Sequence, residues 1–413
     1  MSSTLQVQEI QTAKDLAIKE LLAIHGVTGV DIGYKYVDGK MTDQICLRVH
    51  VAKKKADLSP EQRVPTMVHG IPTDVIEGTY KTYGTVTSQA DATNIDEDQY
   101  NVMEGGISIS GKRDDGSADT GTLGLVVIDN NTNKPAILTN AHVVGGEGTE
   151  GKQMYQPYPW NGGALVGSVL RARRSGSIDA ALISIDSLTY SFDILQLGGV
   201  QGINTNAQLG QSVRKRGRQS RLTYGVVEGI HGTFPISETE YYDDILSIKP
   251  LNAADFSIEG DSGSVIVDDD NKVIALLYAG YPSQLTDDDS LKGRTLSLPI
   301  KNVMNAMNCS VSGSENQPTQ PPATPPPTAS RPTLKIGTRG QAVMDLQNLL
   351  VQLGFGINPD GAFGNRTMIA IKVYQMHNGL NADGVVGPAT WASIENAAAL
   401  AGGGSSSASN TGA

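Results

Sequence analysis

The sequence predicts a multidomain chain: a small α+β unit, a larger all-β domain, and a small helical module. Three observations predict it. Short β-branched runs separated by Gly, Asn and Asp fill the middle, a proline-rich stretch ends it, and helical periodicity returns after the prolines. A length of 413 residues allows about two to four domains at roughly 100–200 residues each.

The first unit runs from about Thr12 to Gly78. Leu16, Ile18, Leu21, Leu22 and Ile24 suit a short amphipathic helix. Val30, Ile32, Tyr34 and Tyr36 then alternate with polar or small residues, Asp38-Gly39 signals a hairpin turn, and Ile45, Leu47, Val49 and Val51 alternate on the way back. Ser59-Pro60-Glu61-Gln62 has the form of a capping box with proline at the first helical position, so a second helix is expected there. From about Gly105 to Met307 the runs Gly124–Ile128, Ala136–Thr139, Ala180–Ile185, Val226–Ile230 and Ser264–Val267 point to a barrel or sandwich. Between Ser312 and Thr333 stand Pro318, Pro321, Pro322, Pro325, Pro326, Pro327 and Pro332 with almost nothing to bury. About 15–20 such residues in polyproline II form would hold their ends about 50–60 Å apart. Beyond this spacer, Val343, Leu346, Leu349, Leu350 and Leu353 form one helical stripe. The predicted division is 1–95 for the N-terminal α+β extension, 96–311 for the β domain, 312–333 for the spacer, 334–400 for the helical module and 401–413 for a disordered tail.

Composition excludes more than it names. With 32 Lys+Arg against 43 Asp+Glu, the net charge of −11 argues against nucleic acid as the main partner. Aromatic residues are only 5%, so small aliphatic side chains must fill the core. Cys46 and Cys309 support no disulfide framework and read as two reduced, partly buried thiols. No CxxC or HExxH pattern occurs, so neither a metal nor a cofactor is expected. Met1–Gly26 lacks the basic and apolar regions of a signal peptide, and no apolar run is long enough to span a membrane.

Of His25, His50, His69, His142, His231 and His377, His142 stands out because it ends the apolar strand Ala136-Ile-Leu-Thr-Asn-Ala-His142. A strand end facing a cleft can bring a base to a nucleophile on another element, although a histidine there is also commonly structural. The nucleophile would be Ser262 in Glu259-Gly-Asp-Ser-Gly-Ser264. Glycines on both sides allow close approach of substrate, and the N–H groups of Gly260 and Ser262 could form an oxyanion hole. The bland alternative is a Gly-Asp turn between strands. A base also needs an orienting acid. Asp179, at the mouth of the apolar strand Ala180–Ile183, is favoured; Asp186, where that strand exits, remains the competitor.

The order His142, Asp179, Ser262 with these contexts resembles the trypsin-like, chymotrypsin-fold serine peptidases. Lys215-Arg-Gly-Arg-Gln-Ser-Arg-Leu-Thr-Tyr-Gly-Val-Val227 is similar to that family's strand-turn-strand. Gly105–Ile109, Thr120–Gly124 and the N-terminal extension resemble a bacterial and plant branch that includes the narrow-leaf-type peptidases. The resemblance covers roughly residues 10–307. It implies two β-barrels, with His142 and Asp179 on the first, Ser262 on the second, and an extended peptide bound between them. Val143 replaces the cysteine that many members use to staple the histidine loop, so none of the usual bridges is implied. Phe256 takes the position at the base of the specificity pocket, with Asp255 beside it, so no Arg/Lys preference is implied. In the family, Asp261 pairs with a new N-terminus after cleavage; no cleavage site is identified here.

In the C-terminal module, Asp360-Gly-Ala-Phe-Gly-Asn-Arg-Thr367 is echoed by Asp383-Gly-Val-Val-Gly-Pro-Ala-Thr390, each a tight turn, a glycine and a helix start. With Leu334–Gly340, Ala370–Gln375 and Trp391, the pattern closely resembles the three-helix peptidoglycan-binding module; Tyr374 departs from its usual Phe. Together the resemblances imply a serine endopeptidase acting on a protein or peptide substrate and tethered to peptidoglycan through residues 334–400. A cell-envelope or extracellular setting is implied, although no export signal is visible. The alternatives are a non-catalytic or regulatory wall-binding protein on a peptidase-like scaffold, or a peptidoglycan hydrolase.

Overall fold

The computed structural model describes residues 3–37, 40–55, 57–82, 98–159, 162–236, 240–251, 255–281, 293–312, 331–353, 355, 357, 359–378, 380 and 383–402. The Asp38-Gly39 turn, most of the proline spacer and most of the tail lie outside them. Two compact units result, residues 1–316 and 317–413.

The first unit begins with helix α1 (Ser3–Ala23), longer than its expected stripe. Its buried face is Ile10, Ala13, Ala17 and Leu21, spaced at three and four residues, while Leu16 turns away and is 67% exposed. Strands β1 (Val27–Val37) and β2 (Lys40–Val51) pair antiparallel, with Val30 opposite Val49 and Ile32 opposite Leu47. The helix expected at Ser59 is a single 3₁₀ turn, Pro60–Gln62. Ser59 N–H does donate to Gln62 Oε1 at 3.2 Å, but the turn buries nothing that would hold a longer helix. Strands β3 (Met67–Val68), β4 (Ile71–Glu77) and β5 (Lys81–Thr82) follow, and β4 runs parallel to β2.

The next strands are β6 (Val102–Gly105), β7 (Ser108–Lys112), β8 (Ala118–Thr122), β9 (Leu125–Asp129) and β10 (Lys134–Thr139). A one-turn helix α2 (Ala141–Val144) leads to β11 (Gln153–Gln156), β12 (Ala164–Arg173), β13 (Ala180–Ser184), β14 (Thr189–Ile194) and β15 (Gly198–Gly199). The main sheet has the order β9-β10-β13-β12-β11-β7-β8. Because β8 runs into β9 across Leu123 and Gly124, whose N–H groups donate to Ile107 and Leu138 carbonyls, the row curls back on itself into a first barrel. Ile107, Ile109, Leu123, Val126, Ile137, Val143 and Ile183 fill it.

A second barrel is built from β16 (Ser212–Gly217), β17 (Arg221–Pro235), β18 (Tyr241–Pro250), β19 (Val265–Asp268), β20 (Val273–Gly280) and β21 (Thr295–Pro299). The order β16-β19-β20-β21-β18-β17 closes through a β16–β17 pairing. Helix α3 (Ile300–Met307) and strand β22 (Cys309–Ser310) then return the chain to β9 of the first barrel. One apolar cluster spans the two barrels, joining Leu125, Leu138 and Leu182 to Val265, Leu276, Leu298 and α3. Cys46 and Cys309 are both free, and burial pushes each thiol up to about 12. No disulfide joins the barrels; the shared apolar cluster and the backbone pairing of β22 with β9 link them.

The N-terminal segment is part of the same sheet. β1 pairs with β17, Ile32 facing Ile230, and Ile10, Leu21, Ile32 and Leu47 share one core with Val227, Ile248, Ile266 and Leu277. The polar side of the β1–β2 hairpin is also buried. Arg48 bridges Asp31, Ser247 and Glu228, Arg294 pairs with Glu228, and His50 Nε2 lies 3.2 Å from Asp31, all with side chains no more than 3% exposed.

In the C-terminal unit, α4 (Gln341–Gln352), α5 (Asn365–His377) and α6 (Pro388–Gly402) enclose Leu334, Val343, Leu346, Leu350, Phe363, Ile371, Tyr374 and Trp391. Tyr374 OH pairs with Ser393 Oγ at 2.8 Å, which satisfies the added hydroxyl. Trp391 Nε1 donates to Pro332 O at 2.9 Å, with the Arg331 guanidinium 4.9 Å from its ring centroid.

Candidate active site

His142 stands in α2, where β10 ends. β10 pairs with β13 in a register that sets Thr139 opposite Ala181, so Asp179, just before β13, arrives beside the histidine turn. Asn140 Nδ2 donates to Asp179 O at 2.7 Å and fastens the two loops. The Asp179 carboxylate then accepts twice from one residue: from His142 N–H at 3.1 Å and from Nδ1 at 2.7 Å. A carboxylate can only accept here, so Nδ1 is the ring nitrogen that donates to Asp179, and Nε2 is left on the other side of the ring. Asp179 is fully buried. Burial pushes its carboxyl up, but the charge and hydrogen bonds of His142 outweigh this and hold it below the usual carboxylate range. Asp186, by contrast, is exposed and accepts from Ser184 Oγ at 2.7 Å.

Ser262 lies on the turn that precedes β19. Its carbonyl accepts from Thr122 N–H at 2.8 Å, tying the second barrel's loop to the first barrel's β8. Gly121 makes the approach possible: a Cβ there would fall 2.4 Å from Val143 Cγ2 and 2.8 Å from Ser262 O. The histidine helix and the serine loop thus pack around one glycine. Ser262 Oγ and His142 Nε2 are both buried, and neither has a hydrogen-bond partner among the described residues. Gly260 has φ +101°, a left-handed conformation suited to glycine, and its carbonyl accepts from Thr122 Oγ1 at 3.0 Å. Among the described residues, the N–H groups of Gly260 and Ser262 donate to no acceptor.

Asp261, between those two residues, meets Lys215 Nζ at 3.2 Å with both side chains fully buried. Gln219, Ser220 and Ile258 N–H groups also donate to it, at 2.9, 3.0 and 3.0 Å. Sequence reasoning found Lys215 only as part of a strand pattern. Phe256 is fully enclosed among Val227, Ile248, Ile266 and Leu277, its ring centroid 5.6 Å from Lys215 Nζ, so the ring belongs to the core. Asp255 is half-buried, close to Gly293. The neighbouring segments 252–254 and 282–292 lie outside the described residues.

The trypsin-like peptidase domain model matches residues 121–276, a span containing His142, Asp179 and Ser262, and the peptidoglycan binding domain model matches 339–394. The chain carries both domains. Its middle region has a chymotrypsin-like β-barrel protease fold, and the second domain is the helical C-terminal region. Protein NARROW LEAF 1 of Oryza sativa subsp. japonica is 26% identical over 280 residues, 58% of this chain and 48% of that protein. An uncharacterised Kitasatospora aureofaciens protein from the bpoA1 3′ region is 40% identical over 70 residues, 16% of this chain and 58% of that protein. The chain thus spans about half the length of the curated relatives it matches. Among solved structures, Thermobifida fusca protease A is 16% identical with a TM-score of 0.38, over 51% of this chain and 98% of that one. No helix among the described residues is long and apolar enough to cross a membrane.

Proposed function

We propose that the chain is a serine endopeptidase that works through an acyl-enzyme and is attached to peptidoglycan by its C-terminal domain. The observation that carries this reading is the two-point hold of Asp179 on His142, which turns Nε2 away from the carboxylate, with Nε2 and Ser262 Oγ both buried and unpartnered among the described residues. In the reaction, Ser262 Oγ attacks the scissile carbonyl carbon as His142 Nε2 takes its proton. The carbonyl electron pair moves to oxygen, where the N–H groups of Gly260 and Ser262 receive the charge. Collapse of that intermediate expels the amine, which takes the proton from His142. Water repeats the sequence on the ester, releasing the acid and restoring the serine. Asp179 keeps the imidazole oriented and stabilises its charged form.

Cell-wall attachment would raise the local concentration of peptidase at wall-associated substrates. The division at residues 95, 311, 333 and 400 belongs to this reading: N-terminal extension, peptidase domain, spacer, peptidoglycan-binding domain and tail. The test is fluorophosphonate labelling and peptide hydrolysis by the full chain and by Ser262→Ala. Loss of labelling and a fall in hydrolysis on the order of 10⁶ are expected in the variant. Equal turnover by both proteins would end the assignment. Release of stem peptides from purified sacculi, absent in Ser262→Ala, would make the wall itself the substrate. Failure of the full chain to sediment with sacculi would remove the attachment.

A further inference from the structure

One buried charge near the oxyanion donors is left uncancelled. Arg218, between β16 and β17, is 1% exposed, and it forms no ion pair with any carboxylate among the described residues. Its Nη1 donates to Ser108 Oγ and its Nη2 to Tyr158 OH, both at 3.3 Å, with the Tyr158 ring centroid 5.7 Å from the guanidinium carbon. Its Nε has no acceptor among the described residues. A buried cation served only by neutral, long hydrogen bonds is costly, and such groups persist where they have something to do.

Its position says what. A Cβ built on Gly260 would fall 3.1 Å from Arg218 Nε, so the guanidinium stands directly against the glycine proposed as an oxyanion donor. Thr122 couples the two backbones: its Oγ1 accepts from Arg218 N–H and donates to Gly260 O, each at 3.0 Å. The neighbouring Lys215 contributes little net charge, because Asp261 pairs with it. Arg218 is thus an uncancelled positive charge held in a buried setting beside the place where negative charge would develop, where its field is weakly screened.

We propose that Arg218 is a positioning residue for the acyl-transfer step, its charge acting through the Gly260 peptide to stabilise the tetrahedral oxyanion. This rests on the serine-peptidase reading above. The full chain is compared with Arg218→Met, Arg218→Gln and Arg218→Lys. Met removes the charge at similar length, Gln keeps a donor for Ser108 or Tyr158, and Lys keeps the charge. The two neutral variants should lose about ten- to a hundred-fold in kcat, less than the 10²–10³ typical of a direct oxyanion donor, with KM nearly unchanged. Affinity for a peptidyl boronic acid, which forms an anionic tetrahedral adduct, should fall in parallel, while affinity for a non-hydrolysable peptide stays the same. Lys should retain most of the activity.

A folded neutral variant with unchanged kcat overturns the proposal, as does equal damage by Lys and by Gln, which would mean that shape rather than charge matters. If Met does not fold, Gln and Lys carry the comparison. The two readings fail differently. Wild-type protein that neither labels nor hydrolyses peptide defeats both, whereas active wild type with equally active neutral variants defeats only the role of Arg218.

Discussion

Lys215 Nζ lies 3.2 Å from Asp261 Oδ2, and neither side chain reaches solvent. Asp261 is flanked by the two proposed oxyanion donors, so whatever holds its carboxylate also holds their turn. Burial alone would push that carboxyl up. The charge of Lys215 and the backbone N–H groups around it outweigh burial and keep it below the usual carboxylate range. The chain supplies this cation from its own strand β16, so the turn has a charge partner without an amino terminus created by cleavage.

Replacing Lys215 with Met should therefore be costly in two ways. It leaves a fully buried carboxylate without its cation, a loss of roughly 3–5 kcal/mol, and it loosens the turn carrying Ser262. Urea denaturation should show the loss in Lys215→Met, and a smaller one in Lys215→Met/Asp261→Asn, because the second change removes the stranded charge. Strictly additive losses would show that the two residues are not coupled.

The orienting acid can be assigned by a paired substitution. Asp179→Asn keeps the shape but favours the wrong imidazole tautomer, and kcat should fall on the order of 10⁴. Asp186→Asn alters an exposed carboxylate that contacts Ser184, and kcat should stay within about two-fold. Steady-state peptide hydrolysis decides; the reverse pattern would transfer the role to Asp186.

These differences also show why parts of the molecule were legible in the sequence and others were not. His142, Asp179 and Ser262 each sit in a short local pattern, and β1 and β2 announce themselves by alternation. Alternation also implies that the polar side of that hairpin meets water, and at Asp31, Arg48 and His50 it does not. Arg48 finds Ser247 199 residues away and Asp261 finds Lys215 at a separation of 46, and nothing local marks either pairing. The resemblance sets Phe256 at the base of a specificity pocket, and its packing into the barrel core is made by residues distant in sequence. A long-range fold decides which face of a strand is covered, so a two-residue period alone cannot.

The buried hairpin network predicts acid sensitivity with a definite sign. Burial pushes the carboxyls of Asp31 and Glu228 up, but Arg48 with His50 at Asp31, and Arg294 with Arg48 at Glu228, more than reverse this and hold both low. Asp179 and Asp261 are held low as well. Against ordinary values of 3.8 for Asp and 4.5 for Glu, the unfolded chain takes up protons first as pH falls. The stabilisation is present in full above those values and drains away below about pH 4. Melting temperature should hold from neutrality down to that range and then fall steeply. Arg48→Met, which strands Asp31 between the N-terminal hairpin and the second barrel while Glu228 keeps Arg294, should lower stability by roughly 3–5 kcal/mol at neutral pH. A melting curve unaffected by that change would show that the hairpin is not joined to the barrel through these charges.

The C-terminal domain offers a prediction that its own repeat controls. Gln347 Oε1 accepts from Gly361 N–H at 2.8 Å, and its Nε2 donates to Asp360 Oδ1, Ala362 O and Thr367 Oγ1 at 2.9–3.1 Å. Gln375 does the same one helix later, accepting from Gly384 N–H at 2.8 Å and donating to Asp383 Oδ1, Val385 O and Thr390 Oγ1. Each buried amide thus grips the Asp-Gly turn that follows its helix and the threonine that opens the next one. The repeated turns were visible in sequence, but the glutamines were hidden within helical stripes. Gln347→Leu or Gln375→Leu keeps the volume but strands a buried glycine N–H, at about 1–3 kcal/mol each. In calorimetry of the full chain, each variant should lower the transition of residues 317–413 and leave the peptidase transition in place. Gln→Glu should be damaging too, because the Nε2 donor serves three acceptors and a carboxylate cannot replace it. If Leu and Glu variants both melt like wild type, these hydrogen bonds do not hold the turns.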